Sequence, residues 1–311
     1  MGEIHDLLEH RGKQGTIETG RATRDVIEAA AAYLSEEDNA LACAYSGWAQ
    51  CALPHRRQAP DKAWVVSSDR MKLVVEPGRR PIGDTNEVEF VGVPFGSYSR
   101  LILLYLQTQA LRTNSREVEL GRSWRAWMGR IGVPWGGSSG KAVREQAELI
   151  SRCRLTFHFQ GEGRSGLVNQ SVVDGALFLE NPGTSKQERL TLETAKLSEG
   201  FFEALKKHPI PLQEAAIRSL ANNSAALDCY IWLAYRLHSL SNARLVTWKA
   251  LKAQHGAGFK ELYHFKNKFP AVLQLAMAVY PDANVEVVEE GLILKPSRPP
   301  VAPRLIGARG P

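Results

Sequence analysis

Apolar and polar positions change along this chain with the short periods of a mixed α and β protein. Residues 97–112 are apolar at almost every central position, which predicts a helix buried on all sides. The pattern after this helix predicts further short elements. They are a strand over 117–120, a helix over 123–131, a glycine-rich turn over 136–140, a helix ending near residue 153, and strands over 155–160 and 171–179.

Helix, strand, helix, turn, helix and hairpin is the element order of a winged helix-turn-helix, and this order recurs downstream. The second series consists of helices over 198–207, 212–220, 225–238 and 248–255, a strand near Leu245, a turn over 256–258, a helical stretch over 260–280, and strands over 285–288 and 292–295. The predicted fold class is therefore α+β and mostly helical, with two tandem winged helix-turn-helix domains, each with a small β-hairpin wing.

These elements divide the chain into predicted segments. They are an N-terminal helical extension over 1–52, a first winged-helix domain over 53–180, a linker over 181–185, a second winged-helix domain over 186–300 and a flexible tail over 301–311. In the extension, Ser35-Glu-Glu-Asp38 is a weak capping-box variant that predicts a helix start. The first domain also contains predicted strands near 64–66, 73–75 and 88–93.

Composition favours a soluble protein of a reducing compartment. The chain is 44% apolar and 23% charged, and its most apolar run, over 101–106, is far shorter than the ~20 residues that span a bilayer. The first residues lack the basic and apolar regions of a signal peptide. Cys43, Cys51 and His55 lack the paired spacing of a zinc site, so buried free thiols are favoured. We expect a cytoplasmic protein with no membrane partner.

The basic residues are concentrated in two windows. The whole chain has a formal charge of only +6. Residues 112–154 contain nine basic and four acidic side chains, and residues 244–268 contain six basic side chains and one acid, Glu261. Each window coincides with a predicted turn and third helix, the part of a helix-turn-helix that enters the major groove. This coincidence favours double-stranded DNA as the partner.

The third helix of the second series has two different faces at ~100° per residue. Aromatic and aliphatic side chains form one face and polar side chains the other: Phe259, Leu262, Phe265 and Phe269 against Lys260, His264, Asn267 and Lys268. A groove-binding helix needs inward anchors, lysines for phosphates and an asparagine for adenine. The alternative is a solvated basic face without a partner. Pro270 starts the apolar portion or kinks one long helix, and we favour first turns on DNA and later turns in the core.

Motifs for catalysis are not supported by their spacing. Residues 136–141 suggest a phosphate-binding P-loop, but Trp135 and Ala142 occupy the positions that require glycine and a hydroxyl residue. No His-x-His pair of a rolling-circle nuclease occurs, and no Ser–His–Asp arrangement is defensible. The sequence therefore predicts a binding protein that is not an enzyme and uses no metal or cofactor.

Several strings resemble the plasmid-encoded RepA replication-initiator family over roughly residues 40–300. They are LPHRR (53–57), LVVEPG (73–78), GVPFGS (92–97), SRLILLYLQ (99–107), TNSREVELGRS (113–123), REQAELISRCRLTF (144–157), VYPDA (279–283) and LKPS (294–297). The resemblance implies two winged-helix domains that bind repeated origin sequences, called iterons. It also implies dimers that repress their own promoter, monomers that open the origin, and recruitment of the host initiator and replicative helicase.

Together, the two basic windows and the resemblance assign candidate DNA-binding residues. We expect the second domain to be the main DNA-binding domain, and the first to provide dimerisation and an auxiliary contact. His264 and Asn267 contact base edges, and the remaining candidates contact the backbone. These are Arg244, Lys249, Lys252, Lys260, Lys266 and Lys268, then Lys295 and Arg298 at the second wing, and Ser138, Ser139, Lys141 and Arg144 in the first domain.

Two alternatives remain open from the sequence. One is a winged-helix transcriptional repressor without initiator activity, which would use the same fold and the same basic helices. The other is an enzyme acting on DNA, either a nuclease or a primase.

Overall fold

A computed structural model describes residues 2–36, 40–68, 71–121, 123–161, 164–174 and 194–301 of the chain. No helix within these ranges is long and apolar enough to cross a membrane. The predicted linker over 181–185, the end of the predicted strand over 171–179 and the predicted tail beyond residue 301 lie outside the described residues.

The described residues form α-helices and short antiparallel strands, as the predicted α+β class requires. The helices are α1 (Glu3–Glu18), α2 (Arg24–Leu34), α3 (Ser46–Gln50), α4 (Gly96–Thr113), α5 (Trp124–Arg130), α6 (Gly137–Arg152), α7 (Glu199–Lys207), α8 (Glu214–Ser219), α9 (Ser224–Arg236), α10 (Trp248–His255) and α11 (Leu262–Ala278). The strands are β1 (Leu41–Tyr45), β2 (Trp64–Ser67), β3 (Met71–Glu76), β4 (Gly78–Pro81), β5 (Val88–Gly92), β6 (Glu117–Glu119), β7 (Arg154–Gly161), β8 (Arg164–Gln170), β9 (Thr194–Lys196), β10 (Pro209–Gln213), β11 (Arg244–Thr247), β12 (Val285–Val288) and β13 (Gly291–Leu294).

The chain forms two compact units that do not follow its order. The terminal unit combines Met1–Ala42 with Ile210–Pro311, and the central unit is Cys43–Pro209. The sequence pattern instead predicts domain boundaries at residues 52, 180 and 186, because periodicity describes each element but not its distant partner.

In the terminal unit, the N-terminal helices are part of the fold of the C-terminal segment. Helix α2 packs against α8 and α11, and its Ile27 and Ala30 are fully buried. The His5 ring nitrogen Nε2 lies 2.8 Å from the carbonyl oxygen of Ala278, at the end of α11. Helices α1 and α2 therefore support α11 instead of extending away from the domain.

The hairpin of the terminal unit closes a three-stranded sheet in the order β11–β13–β12. Its central strand β13 has Leu292 and Leu294 fully buried, while β11 and β12 are largely exposed. Gly291 pairs with Thr247 in the β11–β13 ladder. A Cβ atom at Gly291 would lie far inside van der Waals contact with the Val246 carbonyl oxygen. The close approach of these two strands therefore requires glycine at residue 291.

The central unit is built around α4, which is buried along most of its length as the sequence predicted. Its Arg100 is 4% exposed, and the guanidinium donates hydrogen bonds to the carbonyl oxygens of Leu53 (2.6 Å) and Pro54 (3.1 Å). A buried cation needs such acceptors, since an unpaired one would be costly. Arg100 thus fixes the turn that begins the LPHRR string.

The two helix–strand–helix–helix–hairpin series have the same order but different strand pairing. In the central unit, the hairpin strands β7 and β8 extend a sheet in the order β2–β3–β7–β8, and β6 pairs with β9 instead. In the terminal unit, the corresponding strand β11 pairs with its own hairpin. Element order could be predicted from sequence, whereas pairing depends on strands far away in the chain.

Several local predictions were wrong. The second hairpin strand, predicted over 171–179, is Arg164–Gln170, and the N-terminal segment predicted as helical contains strand β1. Ser35 ends a helix instead of starting one: it is the C-cap of α2, and its N–H donates to the Ala31 carbonyl oxygen at 3.0 Å. The predicted helix over 212–220 begins only at Glu214, because Pro209–Gln213 forms strand β10. Alternate burial of Ile210 and Leu212 fits a strand.

The close approach at Gly291 predicts a local stability effect. Gly291→Ala should lower the free energy of unfolding by about 1–3 kcal/mol, since the added methyl group overpacks the β11–β13 ladder. The measurement is denaturant unfolding followed by circular dichroism. Gly258→Ala is the matched control, because a Cβ there would meet nothing within 4 Å. Equal midpoints for the two variants would contradict the prediction.

Candidate nucleic-acid interface

Helix α10 and the turn after it set the direction of α11. The Thr247 hydroxyl oxygen caps α10 by accepting a hydrogen bond from the Ala250 N–H at 3.3 Å. Trp248, Leu251 and His255 are buried, so one face of α10 lies in the core. At Gly256, a Cβ would approach Phe265 Cδ2 to 2.7 Å. The glycine therefore allows Phe265 of α11 to pack directly on the turn.

Helix α11 has an apolar face in the core and a polar face in solvent. Phe265, Phe269 and Leu273 are buried. At 100° per residue, the side chains that project from the opposite side are those of Tyr263, His264, Asn267, Lys268 and Ala271, all of which are exposed. Buried Phe265 and Phe269 and the exposed polar residues agree with the predicted division. Leu262, however, is 38% exposed, and Phe259 and Lys260 precede the helix, which begins only at Leu262.

Pro270 lies inside α11 without ending it. The helix continues from Leu262 to Ala278, although proline cannot donate a hydrogen bond to the Lys266 carbonyl oxygen one turn earlier. The buried residues Leu273 and Ala276 follow Pro270. The structure thus has one long helix, with its first turns exposed on one side and its later turns packed in the core.

The hairpin after α11 is tied to both helices through one carbonyl group. The Glu289 oxygen accepts hydrogen bonds from Trp248 Nε1 at 2.9 Å and from Lys266 Nζ at 3.2 Å. The Lys266 ammonium also lies 5.8 Å from the Trp248 ring centroid. Lys266, a candidate phosphate contact, is therefore engaged in fixing the position of the hairpin turn.

Five candidate cations of the terminal unit remain available for a partner. Within the described residues, none of them forms an ion pair with an acidic side chain: Arg244, Lys249, Lys252, Lys260 and Lys268. All are exposed except Lys252, which is half-buried. They lie on β11, α10, the turn and α11, so unpaired positive charge surrounds the helix-turn-helix.

The hairpin itself carries negative charge. Glu286, Glu289 and Glu290 are exposed on it, and Lys295 Nζ is 3.0 Å from the Glu286 carboxylate. Arg298 is exposed, and its carbonyl oxygen accepts a hydrogen bond from the Tyr280 hydroxyl at 2.6 Å. The tip of this wing is thus unfavourable for phosphate, a feature that the sequence analysis missed because its second charge window ended at residue 268.

In the central unit, the candidates at the start of α6 differ from one another in availability. Ser138 and Lys141 are exposed. The Ser139 hydroxyl donates to the Pro134 carbonyl oxygen at 2.9 Å, and the Arg144 guanidinium lies 5.0 Å from the Trp124 ring centroid. Ser138 and Lys141 are therefore the better placed of the four for an external ligand.

Three of the eight arginines in the central window form ion pairs within the unit. Arg130 pairs with Glu119 at 3.0 Å, Arg152 with Glu148 at 3.1 Å, and Arg116 with Asp174. Charge counting along the sequence gave both windows the same excess. The structure shows that the two windows differ, because three cations of the central window pair with carboxylates, whereas within the described residues those of the terminal window do not.

An exposed aromatic residue on α11 was also missed. Tyr263 is 69% exposed, more than any other large hydrophobic residue in the described part of the chain. At 100° per residue it lies near the polar face, but the sequence analysis did not single it out.

The cysteines show no arrangement for metal binding or catalysis within the described residues, where no cluster of metal-ligating side chains occurs. All four thiols are free. Burial raises the pKa of Cys43 and of Cys51 to about 11 and that of Cys153 to about 12. Such thiols are protonated at neutral pH and are poor nucleophiles.

Comparison with known proteins identifies a family and a fold. Residues 93–250 match the family model described as plasmid encoded RepA protein. A crystal structure of domains 2 and 3 of RctB, as a selenomethionine derivative, is 13% identical, has a TM-score of 0.52, and covers 82% of this chain and 99% of that chain. A second crystal structure of RctB domains 2–3 is 12% identical, with a TM-score of 0.43 and coverage of 81% and 97%. No curated protein sequence matches significantly.

These comparisons carry different weight. The family match extends from just before α4 into α10, about half of the chain, and it confirms the resemblance read from the sequence strings. The likeness to RctB at 13% identity concerns the fold alone, and it agrees with the α+β class.

Raised thiol pKa values predict slow chemical modification. A thiol with a pKa of about 11 has roughly one thiolate in a thousand at pH 8. The native protein should therefore react with a chromogenic disulfide reagent much more slowly than the same protein in denaturant. Its rate should rise only as the pH approaches the raised pKa values. A cysteine that reacts in the native state at the rate of a free thiol would contradict the expectation.

Proposed function

The chain belongs to the family of plasmid-encoded RepA proteins, which are replication initiators, and on this premise we propose that it binds repeated double-stranded sites at a plasmid origin. Helix α11 is the recognition helix and enters the major groove. The proposal is supported by one observation above all: unpaired cations surround the exposed polar face of this helix.

The residues take different roles in this complex. Asn267, on the exposed face of α11, pairs with an adenine edge, and His264 contacts a neighbouring base. The five unpaired cations defined above neutralise phosphates on either side of the groove. Because the apolar face is buried, the helix can approach the bases only with the face that carries Asn267.

The wing makes a smaller contribution than the sequence suggested. Lys295 is held by Glu286, and three glutamates line the hairpin. Carboxylates repel phosphates at close range. Within the proposal, Arg298 touches the flanking backbone, and the acidic tip stays away from the duplex.

The central unit provides an auxiliary contact and self-association. Lys141 and Ser138 lie at the start of α6, where free backbone N–H groups favour a phosphate. Three arginines of this unit are paired with carboxylates. We therefore expect the unit to attract DNA less strongly than the terminal unit does. We assign the dimer surface to the central unit. The two tandem winged-helix domains then provide one principal and one supporting contact per DNA site.

The wider cycle that we propose is the one that the family resemblance implies. Dimers repress the protein's own promoter, monomers bind the iterons and open the origin, and the bound complex recruits the host initiator and replicative helicase. In this cycle the protein works as a binding protein without a cofactor.

Substitutions on α11 should separate backbone contact from base contact. Lys268→Ala should weaken binding to the repeat and to random duplex equally and reduce the slope of log affinity against log salt by about 0.9. Asn267→Ala should cost about 1–3 kcal/mol on the repeat and little on random DNA. Fluorescence anisotropy over a salt series measures both.

The wild-type protein should lose roughly 500-fold in affinity between 50 and 200 mM salt if five cations contact phosphates. Lys206→Ala is the matched control, because Lys206 lies in the central unit 3.5 Å from Glu203, and it should leave affinity unchanged. Equal losses on both duplexes for Asn267→Ala would remove that residue from base recognition.

Initiator activity has its own test. The protein supplied in trans should maintain a plasmid that carries its origin, and Asn267→Ala should abolish maintenance because the iterons are no longer distinguished. Plasmid retention without selection is the readout. A chain that represses its promoter but never sustains the origin plasmid would support the transcriptional repressor instead.

A further inference from the structure

The side chain of Tyr263 has no internal structural role. It lies in the first turn of α11 and is 69% exposed. Its ring contacts that of His264, with centroids 5.6 Å apart, and its hydroxyl group makes no hydrogen bond within the described residues. A single exposed apolar residue is ordinary on a protein surface. Tyr263 is significant because it lies among the residues that are proposed to contact DNA.

Helix geometry places Tyr263 beside Asn267. The two residues are one turn apart, about 40° around the axis and about 6 Å along it. Both lie on the exposed side, opposite the buried Phe265 and Phe269. Any surface that Asn267 reaches is therefore also in front of the tyrosine ring.

The major groove offers one apolar feature to such a ring. Base edges there present hydrogen-bonding groups, except for the 5-methyl group of thymine, which is recognised by apolar contact. With bases about 3.4 Å apart along a strand, a distance of about 6 Å corresponds to roughly two base steps. Asn267 favours adenine at its own position, so the pair would select an A·T-containing segment.

We propose that Tyr263 is a specificity-determining residue whose ring packs against the methyl group of a thymine about two base pairs from the adenine bound by Asn267. The inference rests on the proposed function, because it requires α11 to enter the major groove. It assigns recognition to the ring and not to the hydroxyl group, since the ring is the part that can desolvate a methyl group.

The experiment removes the methyl group from the DNA instead of changing the base pair. Footprinting defines the repeat, and each thymine in it is replaced in turn by deoxyuridine. For the wild-type protein, one or two adjacent replacements should weaken binding about fourfold, the effect of one buried methyl group. Tyr263→Ala should bind the natural repeat less tightly and show no further loss on those substituted duplexes.

Two further variants make the result specific. Tyr263→Phe keeps the ring and should retain the fourfold sensitivity; loss of the sensitivity in this variant would assign the contact to the hydroxyl group and overturn the proposal. Leu34→Ala removes an apolar side chain that is 39% exposed elsewhere in the same unit and should behave as wild type.

The possible failures are distinguishable. If the wild-type protein does not prefer the repeat over a scrambled duplex, the proposed function and this inference both fail. If it prefers the repeat but deoxyuridine has no effect, or the same effect on Tyr263→Ala, only the role of Tyr263 is overturned. Circular dichroism of each variant confirms that the fold is intact.

Discussion

The packing of Phe265 is the contact on which the arrangement of the terminal unit depends. Its ring centroid lies 4.9 Å from that of Phe269, 5.6 Å from Phe259 and 6.4 Å from Trp248. The ring also sits where any Cβ on Gly256 would be. These contacts hold α11 by one face against α10 and the turn. Because a helix has fixed angles between its side chains, anchoring one face also decides which residues point into solvent, so the candidate interface follows from the core.

Charge pairing then distinguishes the two units. In the central unit, arginines such as Arg130 and Arg152 have carboxylate partners. In the terminal unit, Lys260 and Lys268 have none within the described residues. Unpaired like charges on one small surface repel each other, and a polyanion relieves that repulsion when it binds. The difference supports the terminal unit as the principal contact with DNA, although both windows have the same net charge in sequence.

How far the sequence could predict this structure depended on the range of the interactions. Helix α10 was predicted at its observed ends, because a capping threonine and a terminal glycine are local signals. The packing of α2 on α11 was not, because nothing local in residues 24–34 identifies a partner more than two hundred positions away. The same limit applies to the candidate site. Lys266 and Lys295 carry the right charge, but their partners, the Glu289 carbonyl and the Glu286 carboxylate, belong to a hairpin whose position only the fold determines.

That hairpin completes the electrostatic argument. Its turn is held by Trp248 and Lys266 through the Glu289 carbonyl oxygen, so the glutamates it carries keep a fixed place relative to α11. A duplex attracted by the cations of the helix-turn-helix meets repulsion on the side of the wing. In the proposed complex this asymmetry limits the orientations in which DNA can approach, and it does so before any base is contacted. Base recognition by α11 would then select among sequences already presented in one orientation.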